Sequence, residues 1–266
     1  MRDQILVRSV ISESIKFGEY EIQFVKPAAA TVDLCTYTAF PADAMYLTTR
    51  AYKGIYDPNS AVPIDEYFMH QAFEDIQRTK LQTPLEMVHM LWLFRDVTRA
   101  FTHQLVRYRV GTAFVQESMR FLGMKKIFKV LVTHDATWNT HPSDDFETNL
   151  DMYSRGATEA ISAYVDLLDR GVPSEDARGV LPTNILTNIY FDCSIRTLQG
   201  IFPQRLCCQA QQGEWQPILL EMRRQIKLKM GEEIESLLRA PYERGQDCGY
   251  RASFDRPCIW QKEKAT

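Results

Sequence analysis

The sequence contains no hydrophobic run long enough to cross a bilayer. Its longest strongly apolar stretch, Met87 to Phe94, includes His89 and falls far short of the roughly 20 residues that a spanning helix needs. The first residues of the chain also lack the apolar core and cleavage site of a secretory signal. We therefore expect a cytoplasmic protein that does not interact with a membrane.

An excess of positive charge is absent as well. Lys and Arg number 31 against 34 Asp and Glu, which gives a formal net charge of −3. Because a surface that binds a long nucleic acid is usually basic, this balance argues against DNA or RNA as a partner. It is compatible with a small anionic ligand, since two or three converging arginines are enough to bind one.

The six cysteines do not form a metal-binding pattern. They include the adjacent pair Cys207 and Cys208 but no C-x-x-C motif, so we predict no zinc site and no other metal site. An even number of cysteines is compatible with a disulfide framework, which is typical of small exported domains. In a chain of 266 residues without an export signal, we expect reduced thiols.

Internal repeats, low-complexity tracts and a βαβ rhythm are also missing. The hydrophobic content of 45% and the charged content of 24% are ordinary for a globular protein. The order of the apolar patterns predicts an α+β fold, rich in helices, around a central mixed or antiparallel sheet. We expect one domain over residues 1–266, with an irregular C-terminal extension from about residue 243.

Hydrophobic periodicity and helix-boundary residues predict the individual elements. Alternation predicts a strand at Tyr20–Val25. A capping box that starts at Thr83 precedes the segment Met87–Phe94, which fits a buried strand at least as well as a helix. Helices are predicted over residues 41–53, 64–78, from an Asp96 cap to about 109, 148–169, 184–200 and 217–240.

Arginines and polar residues are concentrated in one segment. Arg107, Arg109 and Arg120 fall within fourteen residues, and Ser118 would face the same way as Arg120 in an extended segment. A hydroxyl beside a guanidinium can hold a phosphate. The alternative is that these arginines are solvated at the end of a surface helix. On that helix three side chains would share one face, those of Gln104, Arg107 and Tyr108.

Three further arginines lie among apolar residues later in the chain. They are Arg178, Arg196 and Arg205. Because a buried guanidinium is costly unless it is paired with an anion, this group strengthens the prediction of an anionic ligand. For Arg205, the alternative is a structural ion pair.

In their order and spacing these motifs resemble those of the flavin-dependent (alternative) thymidylate synthases. The resemblance runs from about residue 30 to 240, and several motifs carry it: Thr83-Pro84-Leu85-Glu86, Val97 to Gln104, Arg107-Tyr108-Arg109, Ser118-Met119-Arg120-Phe121, Leu167 to Val172 and Glu175 to Pro182. The chain departs from the family at Tyr108, which replaces a histidine, and in the eight rather than seven residues before Ser118. Further departures fall mainly on the flavin side, at Leu81, Met87, Ser194, Gly200 and Gln209.

The resemblance implies a site for a pyrimidine nucleoside monophosphate. Ser118 and Arg205 would be its catalytic residues, with Arg205 at the uracil carbonyls and Ser118 as a phosphate ligand rather than a nucleophile. The alternative for Ser118 is a helix or strand cap. The implied nucleotide-binding residues are Gln104, Arg107, Gln116, Glu117, Ser118, Arg120, Arg178 and Arg205. The extra residue in the loop leaves open whether Gln116 or Glu117 fills the family's acidic position.

The resemblance also implies an FAD cofactor and a homotetramer with shared active sites. The implied flavin-binding residues are Thr83, Arg107, Tyr108, Arg109, Ser194 and Gln209. The reaction would be C5-methylation of dUMP to dTMP, with methylenetetrahydrofolate as carbon donor and NADPH as reductant. The alternatives are a UMP methylase or hydroxymethylase, a nucleotide-binding homologue without activity, and a uracil methylase of RNA, which the net charge disfavours.

Overall fold

The computed structural model describes residues 11–25, 31–56, 66–78, 82–131, 146–206, 214–240 and 243. The strands in these ranges are β1 (Ile11–Phe17), β2 (Tyr20–Val25), β3 (Thr31–Tyr37), β4 (His89–Thr98), β5 (Thr112–Gln116), β6 (Ile127–Leu131) and β7 (Leu186–Ser194). The α-helices are α1 (Pro41–Ala51), α2 (Glu66–Arg78), α3 (Arg99–Leu105), α4 (Leu122–Lys125), α5 (Phe146–Asp169), α6 (Ser174–Ala177), α7 (Ile195–Arg205), α8 (Trp215–Met230) and α9 (Glu232–Ser236). Short 3₁₀ helices cover Thr83–Met87, Met119–Phe121 and Arg178–Val180.

The strands form two sheets. The larger one has the order β3-β4-β7-β5, and every neighbouring pair in it is antiparallel. In the smaller one, β2 pairs with β1 in antiparallel and with β6 in parallel orientation. The α+β class is confirmed, with the strands divided between two sheets, while the single-domain boundaries stay a prediction.

Each sheet buries one face. In β4, alternation places Met90, Trp92 and Phe94 in the main core, where they join the buried residues of α8. Burial of each such side chain contributes about 1.5–3 kcal/mol. A second core lies between the smaller sheet and α5, around Phe128 and Tyr164. These two cores hold the strands and helices whose ends carry the candidate site residues.

Several predicted elements are confirmed. The strand at Tyr20–Val25 is β2, and α1 and α2 fall within the first two predicted helices. The long helix α5 ends at Asp169, two residues before Gly171, whose φ of +82° suits the left-handed end of a helix. Met87–Phe94 falls largely in strand β4, which begins at His89.

Other predicted elements are wrong. Asp96 caps no helix, because it lies inside β4 with φ +54° at a bulge between Phe94 and Val97. The cap of α3 is Thr98. Thr83 is likewise no cap, since Gln82 occupies the N-cap position of the 3₁₀ helix without a side-chain hydrogen bond.

The predicted helix over 184–200 is strand β7 followed by α7. In β7 the buried residues Thr187, Ile189, Phe191 and Cys193 alternate with less buried ones, which is the two-residue period of a strand that the predicted helix overlooked. The helix predicted over 217–240 is broken at Gly231, where φ is +100°. The predicted C-terminal extension lies outside the described residues, apart from Glu243.

No helix among the described residues combines the length and the apolar character needed to span a membrane. Of the six cysteines, the structure describes Cys35 and Cys193, and both are free thiols. Cys193 is buried, and this burial raises its pKa well above the usual value.

Candidate active site

Helix α3 connects two groups of candidate residues. Its first residue, Arg99, contacts the segment that follows β5, and Gln104, near its other end, contacts α7. Phe101 and Leu105 bury the opposite face of the helix in the main core. At 1.5 Å per residue, the seven residues of α3 span about 10 Å.

We call the first group the Arg178 cluster, which consists of Arg99, Ser118, Arg120, Arg178 and Glu175. Arg120 Nη1 lies 3.3 Å from Glu175 Oε1, and Arg178 Nε donates to the Glu175 carbonyl oxygen at 3.0 Å. The structure thus brings together the three residues predicted to bind phosphate, although Arg178 is 58 positions from Arg120 in the sequence. Glu175 holds both guanidinium groups, and the pKa of its carboxyl is lowered by a hydrogen bond to its own backbone and by Arg120.

Arg99 adds a third guanidinium to the Arg178 cluster. Its Nη2 donates to the Glu117 carbonyl oxygen at 2.5 Å, while its Nε is buried without a partner among the described residues. Burial lowers the pKa of Arg99, the charge of Glu117 opposes this effect, and Arg178 lowers the pKa further. Arg99, Arg120, Arg178 and Lys125 face two carboxylates here, those of Glu117 and Glu175, which leaves a local excess of positive charge that suits an anion.

Ser118 has the predicted extended backbone, but the chain turns into a 3₁₀ helix directly after it. It is the N-cap of the 3₁₀ helix Met119–Phe121, and its Oγ accepts a hydrogen bond of 3.3 Å from the Arg120 backbone N–H. The alternative interpretation of Ser118 as a cap is therefore confirmed, and the prediction that the extended segment continues to Arg120 is wrong. The cap still places both residues at the same turn of the chain.

Gln116 and Glu117 point to different partners. Gln116 donates to the Thr102 Oγ1 atom at 2.8 Å, within α3. The Glu117 carboxylate forms an ion pair with Lys125 and accepts from Asn188 Nδ2 at 3.0 Å. Both side chains therefore brace the loop around Ser118, each from a different side.

The second group, which we call the Arg205 cluster, consists of Gln104, Tyr108, Gln204, Arg205 and Trp215. Arg205 is the last residue of α7, and Trp215 is the first residue of α8. Arg205 Nε donates to the Tyr108 hydroxyl at 2.9 Å, and its Nη1 donates to Gln104 Oε1 at 2.7 Å. The indole N–H of Trp215 donates to the same Gln104 oxygen at 2.9 Å.

The guanidinium of Arg205 also lies over two aromatic rings. Its Cζ is 4.8 Å from the Trp215 centroid and 5.6 Å from the Tyr108 centroid, which are cation–π distances. Within the described ranges no carboxylate pairs with Arg205, so the predicted alternative of a structural ion pair receives no support there. Neutral partners hold this cation and fix its orientation.

Tyr108 turns toward Arg205 rather than away from the protein. Its hydroxyl accepts from Arg205 and donates to Gln204 Oε1 at 2.9 Å. The residue that replaces the family's histidine is thus part of the Arg205 cluster. Its predicted contact with flavin remains a prediction.

The other residues predicted on the flavin side lie at the ends of α3, β7 and the 3₁₀ helix Thr83–Met87. Arg107 and Arg109 are exposed after α3, and neither forms an ion pair with a described residue. Thr83 is exposed at the start of its 3₁₀ helix. Ser194 is buried, and its hydroxyl caps α7 by accepting from the Thr197 backbone N–H at 3.3 Å. Gln209 lies outside the described residues.

Sequence reasoning missed four residues of these clusters, which are Arg99, Glu175, Gln204 and Trp215. Arg99 belongs to a quoted motif, and its position at the start of a helix beside Thr98 was the signal that could have identified it. Trp215 gave no such signal, because its contact with Gln104 joins residues 111 positions apart. Among the residues that the structure covers, no three His, Cys, Asp or Glu side chains are grouped as metal ligands.

Comparison with known proteins identifies relatives over most of the chain. A flavin-dependent thymidylate synthase of Saccharolobus solfataricus is 32% identical over 152 residues, which are 56% of this chain and 51% of that protein. Another, from Pyrococcus furiosus, is 27% identical over 207 residues, or 76% of this chain and 78% of that protein. The chain spans about half the length of the first of these relatives.

A solved structure has the same fold. The crystal structure of the UMP/dUMP methylase PolB from Streptomyces cacaoi, bound with 5-Br dUMP, matches with a TM-score of 0.59 at 20% identity. The match covers 77% of this chain and 94% of that one. A likeness at this level of identity establishes the fold.

The family model described as thymidylate synthase complementing protein matches residues 33–230, which is more than half of the chain. This match includes every motif from Thr83 to Arg205 on which the resemblance depends. The resemblance to the flavin-dependent thymidylate synthases is thus confirmed, and the chain belongs to the thymidylate synthase complementing protein family.

Proposed function

We propose that this protein is an FAD-dependent enzyme that methylates C5 of a pyrimidine nucleotide, converting dUMP to dTMP. The observation that carries the proposal is the pair of cationic clusters at the two ends of α3. One suits a phosphate and the other a uracil ring, which are the two ends of the same nucleotide. Family membership supports the reaction, and relatives named flavin-dependent thymidylate synthase support the flavin.

The Arg178 cluster is the proposed phosphate site. Guanidinium groups bind phosphate oxygens through paired, charge-assisted hydrogen bonds. Arg120 and Arg178 are held beside each other by Glu175, at the turn that Ser118 caps. A bound phosphate would compete with Glu175 for the same guanidinium groups and would offer them more negative charge.

The Arg205 cluster is the proposed uracil site. C5 of uracil becomes a nucleophile only when electron density moves into the ring, and negative charge then develops on a carbonyl oxygen. A fixed cation at that oxygen stabilises the developing charge. Arg205 is suited to this role, because neutral groups hold it and its other N–H donors have no partner in the part of the chain that the structure describes.

The described residues fit the phosphate portion of FAD. Arg107 and Arg109 present two exposed guanidinium groups just after α3, and a diphosphate requires such donors. When bound, FAD would supply the redox chemistry of the methylation. We propose methylenetetrahydrofolate as the carbon donor and NADPH as the reductant on family grounds.

We also propose a homotetramer in which neighbouring subunits complete each site. The outer face of the larger sheet supports assembly, because it carries an apolar row across β4, β7 and β5. In this row Tyr190 pairs with Leu93 on one side and Val115 on the other. Tyr190 is 42% exposed and Val115 is 71% exposed, and apolar rows of this kind mark association surfaces.

UMP is the second candidate substrate. The solved structure with the same fold is that of a UMP/dUMP methylase, and the flavin-side departures are compatible with a specialised member of the family. A larger divergence from the family's flavin site would give a hydroxymethylated product, or nucleotide binding without turnover.

The experiment that tests the proposal is a comparison of the two nucleotides. Protein supplied with FAD should show a flavin absorption spectrum that changes when dUMP is added, and it should oxidise NADPH when dUMP and methylenetetrahydrofolate are present. UMP is assayed in parallel and should be turned over more slowly. Failure of a folded preparation to bind either FAD or nucleotide would contradict the proposal.

A further inference from the structure

Glu214 is a buried carboxylate with no role in the proposed chemistry. It precedes Trp215 directly and is only 8% exposed. No described Lys, Arg or His pairs with it, and burial raises the pKa of its carboxyl. An acid in this environment reduces stability unless its hydrogen bonds compensate for the lost hydration, so its partners indicate what it does.

Both oxygens of Glu214 bond to the same residue, Thr98. The Thr98 backbone N–H donates to Oε1 at 2.9 Å, and the Thr98 hydroxyl donates to Oε2 at 2.5 Å. The Thr98 oxygen in turn accepts from the Phe101 N–H at 3.0 Å and so caps α3. Glu214 therefore fixes the residue at which β4 ends and α3 begins.

The neighbouring residue contacts the opposite end of the same helix. Trp215 donates its indole N–H to Gln104 and stacks on Arg205. The dipeptide Glu214-Trp215 thus touches α3 at Thr98 and again at Gln104, six residues further along. These two contacts fix α3 with respect to the start of α8.

We infer that Glu214 is a positioning residue that fixes α3 relative to Trp215, so that Gln104 and Arg205 keep their orientation. The inference rests on the proposed function for its catalytic consequence, and on the structure alone for its geometric one. Phosphate binding should depend on it less, since Arg99 is the one member of the Arg178 cluster on α3, and Ser118, Arg120 and Arg178 lie outside that helix. Loss of Glu214 should therefore lower kcat more than nucleotide affinity.

The test uses a geometric readout and a kinetic one. The chain has four tryptophans, and ¹⁵N-tryptophan labelling with Trp215→Phe as the reference identifies the Trp215 indole signal. In Glu214→Ala, hydrogen exchange at this N–H should become at least about tenfold faster, because the Thr98 donors lose their buried acceptor. Glu214→Gln keeps an acceptor and should stay within about threefold of wild type.

Glu235→Ala is the matched control, because Glu235 is equally buried, binds Arg223 and does not touch α3. It should leave the Trp215 signal unchanged. If Glu214→Ala fails to fold, Thr98→Val removes the same hydroxyl with little change of shape and should give the same faster exchange.

The inference is overturned if a folded Glu214→Ala or Thr98→Val protein protects the indole N–H as wild type does. For the kinetics we expect kcat to fall by about 100-fold with dUMP affinity within about threefold. The inference is also overturned if Glu214→Ala lowers kcat and dUMP affinity together, to the same extent as Glu235→Ala does when the two variants are equally folded. Faster exchange in a protein whose wild type lacks turnover would support the inference and reject the proposed function.

Discussion

The Tyr108 hydroxyl accepts a 2.9 Å hydrogen bond from Arg205 Nε and donates one of the same length to Gln204 Oε1. Tyr108 and Arg205 are 97 positions apart in the sequence. Their contact joins the segment after α3 to the end of α7. It gives the residue that replaces a family histidine a place beside the cation proposed to polarise uracil.

Tyr108→Phe should lower kcat by about tenfold, because Arg205 and Gln204 each lose a hydrogen-bond partner while the ring stays in place. The affinity for dUMP should change by less than about threefold, since Tyr108 lies outside the Arg178 cluster. Steady-state kinetics and calorimetric titration with dUMP measure the two quantities. Tyr52→Phe, at an exposed ring near the end of α1, is the control, and an unchanged kcat in Tyr108→Phe would remove Tyr108 from the account.

Arg178→Ala should weaken dUMP binding by roughly 10- to 100-fold, since it removes a charged donor from the proposed phosphate site. Deoxyuridine has the same base and sugar without the phosphate. The affinity for deoxyuridine, which is lower than that for dUMP, should be the same in wild type and in the variant. Titration of each protein with both ligands measures the two affinities. Arg170→Ala, at an exposed arginine outside the cluster, should bind both ligands as wild type does. An equal loss for the two ligands would mean that Arg178 does not bind the phosphate.

The motif order located much of this site before the fold was known. Ser118, Arg120 and Arg178 were predicted from the motifs in which the chain resembles the family, and the structure brings Arg120 and Arg178 together through Glu175 beside Ser118. Motif spacing identifies residues that bind a ligand, because such residues occur at fixed positions within a family's motifs. It gives no indication of Glu214 or Trp215, whose roles come from packing between elements more than a hundred positions apart.

The fold was predicted less completely for a related reason. Strand β7 lies between β4 and β5 in the larger sheet, and its buried residues Thr187, Ile189, Phe191 and Cys193 alternate with less buried ones. The two-residue period of a strand is thus present, but the aromatic Tyr190 on the outer face makes Ile189-Tyr190-Phe191 a continuous apolar run, and the segment was interpreted as a helix. The left-handed Asp96 was similarly misplaced, because the bulge that requires this conformation depends on the pairing of β4 with β7.

The buried Glu214 should make stability depend on pH with a definite sign. Burial raises the pKa of its carboxyl in the folded protein above the ordinary value of 4.5, so the unfolded chain releases this proton at lower pH. The stability that the protonated acid contributes is complete below pH 4.5 and is lost as the pH rises through the raised value. As the pH rises through this value, the free energy of unfolding of Glu214→Gln should therefore increase relative to that of wild type.

Urea unfolding at a series of pH values measures that difference, and Glu221→Gln provides a control of opposite sign. A hydrogen bond from Arg224 lowers the pKa of Glu221 below 4.5. Its contribution is present above pH 4.5 and is lost as the pH falls through the lowered value. A pH-independent difference between wild type and Glu214→Gln would contradict the assignment of Glu214 as a buried acid.

Val115→Asp should disrupt the proposed tetramer, because it places a charge in the apolar row beside Tyr190. Light scattering coupled to size-exclusion chromatography should give a lower mass for the variant than for wild type. Leu228→Asp is a matched control, since Leu228 on α8 is also 71% exposed. If Val115→Asp assembles as wild type does, the outer face of the larger sheet is not the association surface.

The most direct test of the central claim is analysis of the nucleotide product. Protein with FAD, NADPH, dUMP and methylenetetrahydrofolate labelled with ¹³C in its methylene group should yield dTMP with the label in the C5 methyl group. Mass spectrometry and ¹³C NMR of the isolated nucleotide detect it. Unlabelled dUMP recovered quantitatively from a folded protein that binds both FAD and dUMP, with UMP equally unchanged, would contradict the claim that this chain methylates a pyrimidine nucleotide.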